Sequence, residues 1–74
     1  MNPTPSDIRT ARQRAKLTQV AAARLLERSP RAWQAYEAGS RKLDPILFLV
    51  FLIRAGLLTA EAIKFNSFHH FFAN

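Results

Sequence analysis

Three side chains near the middle of the chain, Arg31, Gln34 and Ala35, have the chemistry to read the edge of a base pair. Arginine offers a planar fork of donors that fits the paired O6 and N7 acceptors of guanine, a contact worth about 1–3 kcal/mol of discrimination. Gln34 can read adenine or hold a phosphate, and Ala35 can touch a thymine methyl. Groups suited to phosphate oxygens stand around them. Gln19 and Ser29 fall where helix N-termini are expected, with backbone N–H groups to present. Arg41 and Lys42 are flexible cations beside an expected helix end, which suits them to phosphate charge.

Most of these residues belong to one stretch, Thr18 to Gly39, that reads as two short helices joined by a tight turn. The first helix is expected from about Gln19 to Glu27, with Thr18 as its cap. The second starts with Ser29 as N-cap and Pro30 at the first helical position. The serine oxygen takes an orphan N–H there, and proline has no N–H to leave unmet. Gly39 stands where the helix should stop, able to turn left-handed at little cost. Ala22, Ala23 and Leu26 share a face of the first helix, and Ala32, Trp33 and Tyr36 form the apolar side of the second. Small alanines allow a close crossing. Ser29, Arg31, Gln34, Ala35 and Ala38 are then left as an outer face of small, polar or basic residues, and a helix with such a front can enter a major groove.

Leu17-Thr18-Gln19, then Ala23, Leu26, Ser29 and Trp33-x-x-Tyr36-Glu37-x-Gly39, resembles the helix-turn-helix of small phage repressors, the Cro and XRE-like family. The resemblance covers roughly residues 6–58. It implies an all-α, five-helix fold of the lambda-repressor type. In that fold one domain spans 1–74, with a family-type core over 4–58 and a C-terminal helix or tail over 59–74. It also implies that Ser40, Arg41 and Lys42 run along the DNA backbone, and that Arg12 in the first helix pairs with Glu37 near the end of the recognition helix. An unpaired Glu37 would repel phosphates, and pairing it inward removes that conflict. In the family the turn usually carries glycine, whereas here the position is Glu27, so either the turn is remodelled or a strained left-handed glutamate is tolerated. Trp33 is bulkier than the usual Ile or Val. Small phage regulators also occur beside anti-CRISPR genes, and no residue separates that class from other phage repressors.

The remaining elements must support this unit. Residues 1–3 are expected to fray. Thr4-Pro5-Ser6-Asp7 reads as a helix start, with Thr4 as N-cap and Asp7 in a capping-box position, Ser6 being nearly as good a cap. That helix should end near Lys16 and bury Ile8, Ala11 and Ala15. Asp44-Pro45 opens a fourth helix whose residues Ile46 to Ile53 form an unbroken apolar run of eight. Gly56 is expected to end it. A helix apolar on every side must be covered on every side, and three short helices cover one face. A short fifth helix is expected from Ala60 to about Phe65 or beyond, capped by Thr59. Phe65, Phe68, Phe71 and Phe72 follow at helical spacing in the tail. Phe48, Phe51, Leu52, Phe65, Phe68 and Phe72 are therefore expected to supply core and a homodimer surface.

Charge and composition narrow the function classes. Residues 1–42 carry nine Lys or Arg against three acids, a net of +6, whereas residues 43–74 carry two of each sign. A basic half and a neutral half suggest one face toward a polyanion and another toward protein. The chain has 74 residues and no cysteine, so no disulfide framework or thiolate metal site is available. A single domain this short is marginally stable, and a partner subunit would help. His69 and His70 are adjacent, which is poor metal-ligand spacing, so no metal and no cofactor is expected. No nucleophile–base–orienter set or phosphate-cradling glycine loop is visible, so no catalytic residue is assigned and the chain is not expected to be an enzyme. No apolar leader is visible and the longest apolar run is too short to span a bilayer. The expected setting is the cytoplasm of a bacterial host cell, in association with the nucleoid. The expected partners are double-stranded operator DNA and a second copy of the chain. A toxin protein, in an antitoxin of the same fold, is a less favoured partner. A module that keeps the fold but binds only protein, and a membrane-surface protein using Phe71 and Phe72, are further alternatives.

Overall fold

The computed structural model describes residues 2–59, which form four α-helices and no strand. They are α1 (Pro5–Arg14), α2 (Gln19–Leu25), α3 (Pro30–Ala38) and α4 (Pro45–Arg54). The expected fifth helix, together with Phe65, Phe68, Phe71 and Phe72, lies outside the described residues. Pro3 is buried, so the packed chain begins before α1 rather than after a frayed end.

Each helix starts on a side-chain cap. Thr4 accepts from the Asp7 N–H at 3.0 Å while the Asp7 carboxylate accepts from the Thr4 N–H at 2.9 Å, a reciprocal capping box. Thr18 accepts from Ala21, Ser29 from Ala32, and Asp44 from Ile46 and Leu47. Proline follows the cap in α1, α3 and α4.

All four helices end the same way. A left-handed residue follows the last turn, and the next N–H reaches back five residues: Leu17 to Arg12, Arg28 to Ala23, Ser40 to Ala35 and Leu57 to Leu52, at 2.9–3.2 Å. This 6→1 closure satisfies carbonyls that the helix itself leaves open. The left-handed residues are Lys16 (φ 59°), Glu27 (φ 53°), Gly39 (φ 83°) and Gly56 (φ 77°). The turn at Glu27 is therefore not remodelled: a glutamate occupies the strained position. This closure also accounts for the early helix ends. α1 stops at Arg14 rather than near Lys16, and α2 at Leu25 rather than Glu27, because the last two expected residues are used in the turn. Gly39 has a second reason to lack a side chain, since a Cβ there would sit 3.3 Å from Pro5 Cγ.

The core is built on Trp33, Phe48, Phe51, Ile8, Leu43 and Leu52, all almost fully buried. The Trp33 ring lies 4.8 Å from that of Phe51 and meets Tyr36 edge-on at 6.1 Å. Ala22 and Ala23 are completely buried, which lets α3 cross α2 closely. This corrects the expectation for Phe48, Phe51 and Leu52. All three are 0% exposed within the single chain, so they have no surface to give a partner. α4 is fastened to α2 by Arg54, whose Nη1 donates to the Leu25 carbonyl at 2.6 Å. That carbonyl belongs to the last residue of α2, where the helix supplies no partner.

Candidate nucleic-acid interface

α3 is anchored from behind through one carboxylate. Glu37 is 6% exposed, and it is the buried charged side chain among the described residues. Its Oε2 accepts from Arg12 Nε and from Trp33 Nε1, each at 2.5 Å. Its Oε1 accepts from Arg12 Nη2 at 3.1 Å and from Gln19 Nε2 at 3.2 Å. The third nitrogen of the Arg12 fork, Nη1, donates to the Leu17 carbonyl at 3.1 Å. Arg9 adds an Nη2–H to the Glu37 carbonyl oxygen at 3.4 Å, with its Nε 3.8 Å from Oε1. A single carboxylate thus ties α1, the start of α2 and α3 together, and every buried side-chain donor and acceptor among the described residues has a partner.

The electrostatics follow from this set. Burial alone would push the Glu37 carboxyl up. The hydrogen bonds from Arg12, Trp33 and Gln19 and the charge of Arg12 outweigh it, so the group stays below the ordinary glutamate range. Arg12 is held above its ordinary value, chiefly by its hydrogen bond to Glu37. The negative charge of α3 is thereby neutralised inside the protein and kept away from its front.

Ser29, Arg31, Gln34 and Ala38 are exposed, and Ala35 is half-buried between them. Arg41 and Lys42, exposed in the segment after α3, stand beside the same helix. Ser29, Arg31, Ala32, Ala35, Ser40 and Arg41 line a recess of about 400 Å³. Among the described residues none accepts from the side chains of Arg31, Gln34, Arg41 or Lys42, whereas Arg9, Arg12 and Arg54 are all engaged within the fold.

Ser29, Arg31, Ala35 and Arg41 are thus brought to one recess, while Gln34 and Lys42 are exposed on α3 and in the segment after it. Gln19 is divided. Its backbone N–H stands at the first residue of α2, as expected, but its side chain turns inward to Glu37. Sequence reasoning missed that role and also the Trp33 N–H, the Arg9 contact and the Arg54 cap. A signal existed for Trp33 alone, because it and Glu37 are four apart on one helix and so share a face. Gln19, Arg9 and Arg54 reach partners 18 to 29 residues away, which no local spacing encodes.

No curated protein matches the chain. A model of the helix-turn-helix domain family matches residues 7–62, most of the chain and the whole of α2, α3 and α4. With the capped, anchored α3 facing outward and that match extending across its supporting helices, the chain belongs to the helix-turn-helix domain family of DNA-binding regulators.

Proposed function

We propose that the protein is a homodimeric, sequence-specific repressor of the phage Cro and XRE-like kind, covering an inverted-repeat operator and regulating its own operon from the cytoplasm. The observation that carries this reading is the two-sidedness of α3: a carboxylate fully hydrogen-bonded at the rear, and at the front Arg31 and Gln34, whose side chains find no acceptor among the described residues, beside the half-buried Ala35. Each α3 enters a major groove, and two-fold symmetry sets the half-sites one turn, ~34 Å, apart. Arg31 reads a guanine, Gln34 an adenine or a phosphate, and Ala35 a thymine methyl. The backbone N–H groups at Gln19 and Ser29, with Arg41 and Lys42, hold phosphates and fix the register. The protein acts by occupancy rather than catalysis, and needs neither metal nor cofactor.

Footprinting on the chain's own upstream promoter tests this, with protection of two half-sites a turn apart as the expected result. Arg31→Ala should then weaken binding to that operator by about 1–3 kcal/mol and leave affinity for scrambled duplex nearly unchanged. Equal losses on both duplexes would reassign Arg31 to the backbone.

A further inference from the structure

α4 is apolar on two opposite sides. At about 100° per residue, Phe48, Phe51 and Leu52 share the side turned into the core. Ile46, Leu49, Val50 and Ile53, at i, i+3, i+4 and i+7, fall on the other. Ile46 is 65% exposed and Ile53 37% exposed, with Leu49 and Val50 partly buried between them. We propose that this outer stripe is where two copies of the chain meet, α4 against α4, antiparallel about a two-fold axis near Val50. The inference rests on the homodimer reading above and gives it a surface.

Charge singles out a second copy as the occupant. Residues 1–42 hold the whole net +6, and between Leu43 and Thr59 the charged side chains are Asp44 and Arg54. Contact through the basic half would set like charges against each other. Arg54 is turned back onto the Leu25 carbonyl at 2.6 Å, which directs its charge toward α2. A two-fold contact needs a patch complementary to itself. An uncharged stripe of Ile, Leu and Val meets that condition, and the basic surface does not. The antiparallel arrangement also sets the Asp44 end of one helix beside the Arg54 end of the other, with the two helix dipoles opposed.

The test uses the full chain. It contains no cysteine, so Val50→Cys introduces a single thiol close to the proposed axis. Three results are expected. Light scattering finds the wild type dimeric. A short bis-maleimide converts Val50→Cys to a covalent dimer. Ile46→Glu, checked for an unchanged melt by circular dichroism, raises the dimer dissociation constant by about a hundredfold, since the change is made twice in a two-fold seam. A dimeric wild type whose Ile46→Glu variant stays dimeric, with no cross-link through Val50→Cys, overturns the inference and leaves the homodimer reading standing. A monomeric wild type overturns both. In that case slow maleimide labelling of Val50→Cys identifies residues 60–74 as the cover, and fast labelling shows a face left for another protein. If Ile46→Glu does not fold, cross-linking through Val50→Cys decides.

Discussion

Glu37 shows how one side chain can set the standing of several others. Glu37→Gln removes the charge while keeping the shape, and leaves the Arg12 guanidinium without its counter-ion. We expect a loss of about 3 kcal/mol in denaturant unfolding, in the range for breaking a buried pair from one side. Acid should act through the same group. Because its folded pKa lies below the ordinary value, Glu37 contributes stability that is fully present above the usual glutamate pKa of about 4.3. That contribution is lost as pH falls through the lower folded value. Urea midpoints measured from pH 7 downward should therefore fall below about pH 4 in the wild type, and fall less steeply in Glu37→Gln. The Arg12–Glu37 contact was legible only through resemblance to a family, since nothing in the local pattern pairs residues 25 apart. The outward side of α3 was legible directly, because helix periodicity separates Arg31, Gln34 and Ala35 from the buried Trp33 and Tyr36.

At the scale of the element, the four helix starts could be read from sequence, but only two of the four ends, those of α3 and α4. Caps are local: a Thr, Ser or Asp just ahead of a helical pattern, followed by Pro in α1, α3 and α4, states its own geometry. The ends of α3 and α4 carry glycine, but those of α1 and α2 carry Lys16 and Glu27 in the same left-handed conformation. A sequence reader looking for glycine places those ends late. Two left-handed side chains also mean stored strain. Glu27→Gly should raise stability by about 0.5–1 kcal/mol, the relief of left-handed strain less the added freedom of the unfolded chain. In a domain of this size that is roughly 3–6 °C in Tm by calorimetry. Glu27→Ala, which keeps the Cβ, should give little or none of this gain. The apolar run of α4 was legible as a helix needing cover on all sides. Which residues faced inward was not, because a helix without polar residues has no periodicity to orient it.

For the whole molecule, the division of charge decides how binding responds to salt. The basic half contains every group proposed to touch phosphate. Lys42→Ala should therefore weaken binding about equally on operator and scrambled duplex, and lower the slope of log K against log salt by about one. Fluorescence anisotropy titrations at several salt concentrations would measure it. An unchanged slope would remove Lys42 from the phosphate contacts.

Trp33 is the chain's sole tryptophan, and its indole N–H ends on the carboxylate that anchors α3. The molecule thus carries a native optical probe at the back of α3. Its emission should be blue-shifted while that anchor holds and move to the red on unfolding. Duplex arriving at the opposite side of α3 should scarcely disturb it. Steady-state spectra can thus separate loss of the scaffold from loss of DNA in any variant, without a label.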